Sequence, residues 1–231
     1  LTGLVRVWIV PVDLPPEAEA RCRDVLDDSE RARAAAFLSQ RDRRQYTVAH
    51  GALRILAGRA LRVTPSALRW NLGPYGKPAL AAPWSGLSTS LSHSADLVAV
   101  AIAAGRAVGV DIQHLVPRLD AVAMSDRFFP PAEAKYVAAG RDASARAERF
   151  TRLWSRKEAV VKAAGGRLWP NLGIAVLGCD VVSCTDPPGA HQVADVPAPA
   201  GFLAAVALAG AAPFVTQATA WPNEVAATVA V

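Results

Sequence analysis

Two short stretches carry residues whose types and spacing could do chemistry. The first is WSRKEAVVKAAGG, Trp154 to Gly166. On a helix, Trp154, Glu158 and Lys162 recur every four residues and share one stripe, with Lys157 at its border. An exposed Glu-to-Lys pair at that spacing contributes only about 0.3 kcal/mol and by itself implies no function. The second stretch is VGVDIQ, Val108 to Gln113. On a strand its side chains alternate, so Val108, Val110 and Ile112 face one way and Gly109, Asp111 and Gln113 the other. Taken together, Asp111, Gln113 and Glu158 offer oxygen donors and no thiolate. That set suits a hard cation such as Mg²⁺, which keeps part of its water and shares its shell with substrate phosphates. Lysines one helical turn away would then face those phosphates. A third stretch, SLSHS (Ser90 to Ser94), places His93 between Ser92 and Ser94 just ahead of an apolar run.

The elements that must position these residues follow from periodicity and punctuation. Val5 to Val12 reads as a strand. Glu17 to Leu26 and Ser29 to Leu38 read as helices, the second capped by Ser29. Asp42 to Leu61 has apolar residues at helical spacing and predicts one long helix. GPYGKPAL is Gly/Pro punctuation around a single lysine. STSLSHS leads into LVAVAIAAG, a buried strand, and Gly105-Arg106 marks a turn before VGVDIQ. Asp120 to Phe129 and Pro131 to Ala139 are helical, and a long helix then ends at Gly165-Gly166. The remaining apolar runs, LGIAVLGCDVV, GFLAAVALAG and FVTQAT, predict a small antiparallel sheet. The order strand, helices, long helix, strands occurs twice. Aligning Gly58 with Gly165 sets Gly51 opposite Glu158. The expected architecture is α+β in two similar halves, residues 1–106 and 107–231, the second carrying the candidate metal residues.

The chain has 231 residues, 52% of them hydrophobic and 19% charged, enough for a real core. Its net charge is +5. Nine arginines lie between positions 31 and 69 (31, 33, 41, 43, 44, 54, 59, 62 and 69) against one acid, Asp42. Such a stripe fits phosphates, a nucleic acid or an acidic protein surface. It equally fits a solvated arginine-rich helix face. A nucleic-acid-binding module is the rival reading, but aromatics are only 6% and are not interleaved with the arginines. Three cysteines without metal-ligand spacing argue against structural zinc and a disulfide framework, and point to a reducing cytoplasm. No stretch is long and apolar enough to predict a membrane span.

In order, GKP (Gly76–Pro78), LSHS (Leu91–Ser94), VGVDI (Val108–Ile112) and WSRKEAVVKA (Trp154–Ala163) resemble the motifs of the 4'-phosphopantetheinyl transferases, most of all the monomeric, surfactin-synthetase-activating type. RDRRQYTVAHGALR, Arg41 to Arg54, is similar to that family's N-terminal helix. The resemblance implies a pseudo-dimer of two α+β halves with the active site in the cleft between them. It implies transfer of the phosphopantetheine arm of coenzyme A to a serine of an apo acyl or peptidyl carrier protein, in polyketide, nonribosomal-peptide or fatty-acid synthesis, with release of adenosine 3',5'-bisphosphate. It further implies Mg²⁺, with Mn²⁺ as the alternative, held by Asp111, Glu158 and Gln113. By the same resemblance Lys162 contacts the reacting phosphate, while Lys157, Ser92, His93, Lys77, Arg33 and Arg44 hold coenzyme A. Many relatives carry Glu where this chain has Gln113. That substitution removes a charge and a proton acceptor, which leaves Glu158 as the better base. A relative that binds coenzyme A without catalysis is the remaining alternative.

Overall fold

The computed structural model describes residues 3–221. The chain opens with β1 (Leu4–Pro11), then α1 (Pro16–Asp24), α2 (Asp28–Ala35) and the 22-residue α3 (Gln40–Leu61). Asp27 caps α2 in a reciprocal capping box with Glu30, and Ser29, the residue expected to cap, donates to Asp27 Oδ1 instead (2.7 Å). Ser39 caps α3, which ends on Arg62 in the left-handed region at φ 57°. A short hairpin follows, β2 (Trp70–Leu72) and β3 (Pro78–Leu80), where the sequence predicted only a loop. β4 (Leu87–Ser94) and β5 (Leu97–Ala104) close this part of the chain.

The order then recurs. β6 (Val108–His114) is followed by α4 (Ala121–Phe128), α5 (Pro131–Ala138) and the 22-residue α6 (Ala143–Ala164). After α7 (Leu168–Asn171) come β7 (Val181–Thr185), β8 (Pro188–Val196), β9 (Phe202–Ala209) and β10 (Val215–Ala220). Through the second and third helices of each half the correspondence has an offset of 103 positions: α2 begins at 28 and α5 at 131, α3 at 40 and α6 at 143. The N-caps Ser39 and Asp142 are also 103 apart. The helix ends align Arg62 with Gly165, so the Gly58–Gly165 alignment is four residues out of register. Glu158 stands opposite Ile55 and Lys162 opposite Arg59.

Two four-stranded sheets run β10-β1-β5-β4 and β6-β9-β8-β7. β10 was expected in the second sheet; it instead lies parallel to β1 in the first, with Leu4 opposite Val215. Apolar side chains make three cores. Trp8, Val10, Val98 and Val100 pack under α3. Val5, Val7, Ala99 and Ala101 meet Val108, Val110, Ile112 and Val206 between the sheets. Val160, Ala163, Val193, Ala205 and Ala207 pack between the second sheet and α6. The order of layers is helix, sheet, sheet, helix.

The edge of β6 is joined to β4 by side chains rather than by a backbone ladder. Ser88, Ser90, Ser92 and Ser94 accept from the N–H groups of Val108, Val110, Ile112 and His114 at 3.0, 3.0, 3.3 and 3.0 Å. This alternation satisfies an edge whose donors would otherwise be orphaned. Gly109, on the other face of β6, sets how closely α6 approaches. A Cβ there would stand 2.0 Å from Ala159 O and 2.3 Å from Ala163 N, both backbone. Gly109→Ala is therefore expected to push α6 off the sheet. A thermal melt should fall by roughly 5–10 °C, an overpacking cost of about 1–3 kcal/mol.

Candidate active site

The site is built where β6 runs beneath α6. Asp111 sits on the Gly109 face of β6 and is 1% exposed. Its Oδ1 accepts from Lys162 Nζ at 2.7 Å and from Ser92 Oγ at 2.8 Å. Its Oδ2 accepts from Gln113 Nε2 at 3.1 Å. Lys162 also donates to Ser92 Oγ at 2.9 Å. Glu158, one turn before Lys162, is half-buried. Burial, and then the Asp111 carboxylate, raise its pKa above the usual glutamate range, with Lys162 pulling the other way. Lys162 of the expected stripe thus meets Asp111, which Gln113 also contacts.

Asp111 and Glu158 supply two carboxylates and Gln113 a neutral oxygen, a donor set that fits a hard divalent cation. Among the described residues there is no cluster of three or more His, Cys, Asp or Glu that could hold a metal.

A cleft of about 800 Å³ opens beside this group. Arg33, Tyr46, His50, Trp70, Thr89 and Ser90 line its first-half side, and Lys162, Gly165 and Gly166 its second-half side. Tyr75 and Lys77 reach it from the β2–β3 hairpin. The hairpin is tied across the molecule. Lys77 Nζ donates to Val108 O at 3.2 Å and to Ala163 O, near the α6 C-terminus, at 2.9 Å. Burial lowers its pKa to about 8. The Tyr75 ring lies 4.7 Å from the Arg167 guanidinium. Past Glu158, a second depression of about 210 Å³ is lined by Gln113, Phe150, Thr151 and Trp154 among others. Glu158 thus stands between Trp154 at one opening and Lys162 at the other.

Several expected roles do not survive this geometry. Lys157 does not face the cleft. Its side chain is fully buried on the far side of α6, paired with Glu133 Oε2 at 2.6 Å. It also donates to Ile174 O and lies over the Phe129 ring at 4.6 Å. Helical geometry explains this: one residue from Glu158 is a rotation of about 100°. Arg44 is likewise outside the cleft, paired with Asp13 at 2.8 Å and Glu19 at 2.9 Å. Ser92 has no capacity left for a phosphate. A hydroxyl has one donor and two acceptor sites, and Asp111, Lys162 and Ile112 N–H use all three. It is a support for the acidic centre. Arg33 does line the cleft, and its guanidinium also lies 5.5 Å from the Phe37 ring centroid. His93 keeps an exposed edge, while the protein packed around it, then Lys162 and His50, lower its pKa. The arginine stripe is not one face, because Arg54 is fully buried between Asp27 and Glu30.

Sequence reasoning missed Glu133, the partner of Lys157, and the Asp27–Glu30–Arg54 cluster. It also missed the serine seam, whose signal was present as serine at every second position from 88 to 94.

The comparisons with known proteins bear on this arrangement. The family model of the 4'-phosphopantetheinyl transferase superfamily matches residues 107–195, the segment that contains Asp111, Glu158 and Lys162. The chain is 34% identical over 167 residues to the 4'-phosphopantetheinyl transferase HetI of a Nostoc species, covering 71% of this chain and 70% of that protein. The chain belongs to the 4'-phosphopantetheinyl transferase family. It is also similar to the 4'-phosphopantetheinyl transferase AcpT of Salmonella typhimurium, at 36% over 116 residues, 50% of this chain and 58% of that one. A 4'-phosphopantetheinyl transferase of Bacillus subtilis is 25% identical over 163 residues, 70% of each chain. The enzyme thus acts as a transferase of the phosphopantetheine arm to carrier proteins. No helix among the transferase's described residues is long and apolar enough to cross a membrane.

Proposed function

We propose that Asp111, Glu158 and Lys162 are the catalytic centre, and that coenzyme A lies in the 800 Å³ cleft between the two halves. One observation carries the reading: Lys162, which lines that cleft, donates to Asp111 of β6, and Glu158 stands one turn before it on α6. On this reading the recurring order of elements is a pseudo-dimer within one polypeptide, 1–106 and 107–231, and the enzyme works as a cytoplasmic monomer of the surfactin-synthetase-activating type. Its acceptors are carrier proteins of polyketide, nonribosomal-peptide or fatty-acid synthesis.

Bound to Asp111, Glu158 and the Gln113 oxygen, Mg²⁺ or Mn²⁺ would supply charge neutralisation on the pyrophosphate. The residues of the chain do the rest. Lys162, 29% exposed at its side chain, is close enough to the cleft to turn from Asp111 toward a phosphate. There it offsets the charge that develops on the leaving adenosine 3',5'-bisphosphate. Glu158 accepts the proton of the carrier serine, directly or through water. The serine O–P bond forms as the pyrophosphate P–O bond breaks. Gln113 is neutral and cannot accept that proton; it orients Asp111. Lys77 holds the hairpin wall in place, and Arg33 presents a charge to the nucleotide end.

The test is the intact mass of an apo carrier protein after incubation with the enzyme, coenzyme A and Mg²⁺. The expected result is a gain of one phosphopantetheine arm, abolished by Glu158→Ala. No gain on any of several carrier classes, from a folded protein that still binds coenzyme A, would leave a binding protein without the chemistry.

A further inference from the structure

Each long helix buries one cation completely. Arg54 on α3 and Lys157 on α6 both have 0% exposed side chains. They are 103 positions apart (54 and 157), and so are the glutamates they meet, Glu30 at the start of α2 and Glu133 at the start of α5 (30 and 133). Each cation also donates to backbone carbonyls of the segment that follows its helix. Arg54 Nη1 donates to Pro65 O at 3.2 Å and Leu68 O at 3.1 Å. Lys157 donates to Ile174 O. Glu133 Oε1 in turn accepts from Val176 N–H at 2.6 Å and Leu177 N–H at 2.9 Å. The same device therefore ties a short helix, a long helix and the following loop together, once in each half.

A buried ion pair is a poor source of net stability and a strong geometric constraint. What each constrains differs. Lys157 is the immediate neighbour of Glu158, so its anchoring sets the rotation of α6 under Asp111. A carboxylate about 6 Å from the helix axis shifts roughly 1 Å when the helix turns about 10°. Displacements of that size at a reacting centre cost about 100-fold. In the first half, Glu30 Oε1 lies 3.4 Å from His50 Nδ1, and the Arg54 guanidinium lies 4.7 Å from the Trp70 ring centroid. His50 and Trp70 are both walls of the large cleft.

We propose that these are two copies of one staple with divided tasks: Glu133–Lys157 positions Glu158 against Asp111, and Glu30–Arg54 positions the His50–Trp70 wall of the nucleotide cleft. Glu133, Lys157 and Arg54 are positioning residues, while Glu30, itself on the cleft wall, holds Arg54 and His50; the assignment of tasks rests on the reading of the cleft as the coenzyme A site.

The isosteric variants Glu133→Gln and Glu30→Gln test this, because each keeps hydrogen-bonding capacity while removing the charge. Mn²⁺ binding in the presence of coenzyme A would be read by electron paramagnetic resonance, and coenzyme A binding by calorimetry, at a temperature where both variants are folded by circular dichroism. For Glu133→Gln the expected result is Mn²⁺ affinity about tenfold weaker and kcat lower by 10- to 100-fold, with coenzyme A affinity within about twofold of wild type. For Glu30→Gln the expectation reverses: coenzyme A binds about tenfold more weakly and Mn²⁺ affinity holds. Lys157→Arg, which retains the cation, is expected to recover most of the Mn²⁺ affinity that Lys157→Met loses. Equal losses of both affinities in the two variants, or unchanged Mn²⁺ binding in Glu133→Gln, would overturn the division of tasks. Both binding readouts are independent of transfer, so an absence of transfer by the wild type would sink the catalytic reading alone.

Discussion

Asp111→Ala is expected to lower the transfer rate by roughly 10³-fold while the protein stays folded. The carboxylate accepts three hydrogen bonds, from Lys162, Ser92 and Gln113. Its removal takes away one of only two anionic oxygen donors at the site and lets Lys162 adopt other partners. Stability changes little by comparison. The buried ammonium–carboxylate pair is lost, but Lys162 is partly exposed and can recover hydration. The check is a single-turnover rate on an apo carrier protein beside a thermal melt. A rate within tenfold of wild type would remove Asp111 from the centre.

Lys157→Ala is expected to act on stability as well, costing about 3–5 kcal/mol. The side chain is fully enclosed, and Glu133 behind it is 1% exposed. Truncation leaves that carboxylate buried without a counter-charge, leaves Ile174 O without its donor and opens a void beside Phe129. A loss of this size is a large share of the 5–15 kcal/mol typical of a folded domain. Lys162→Ala, five residues on, is expected to leave the urea midpoint nearly unchanged and to reduce turnover. Denaturation of the two variants side by side separates a structural lysine from a catalytic one. Equal midpoints would mean that the Lys157 site is not the sealed environment described.

The sequence pattern revealed the site more fully than the packing that supports it, and the reason is physical. Alternation on VGVDIQ separated Gly109, Asp111 and Gln113 from Val108, Val110 and Ile112, and the last three are fully buried between the sheets. Four-residue spacing put Glu158 and Lys162 on one stripe of α6. Periodicity reports which residues share a face, and both inferences needed nothing more. Lys157 was misread because a lysine in a sequence carries no mark of the partner that buries it. Glu133 lies 24 residues earlier on a different helix, and only the fold brings them together. Arg54 shows the same limit within the arginine stripe, where a count of charges could not separate solvated residues from one enclosed between Asp27, Glu30 and Trp70. The repeat was visible in the order of elements but misregistered by four residues, because glycine was taken as the stop of both long helices. α3 stops on Arg62 in a left-handed conformation that glycine usually supplies. β10 was assigned to the wrong sheet because strand pairing is non-local and TQAT gives no sign of its partner.

That pairing decides how the enzyme can be taken apart. β10 leaves the second half, runs beside β1 with Val215 N–H on Gly3 O at 2.7 Å, and Trp221 N–H closes on Ile9 O at 3.0 Å. The Trp221 side chain is then part of the core under α3. The first half is thus assembled from both ends of the sequence, and the obvious cut at Gly105 does not yield two self-sufficient pieces. A fragment ending there would expose a bare strand edge and an unfilled core. Chimaeras that exchange halves between relatives must move residues 211–221 with the first hundred, or they will graft a lobe without its outermost strand.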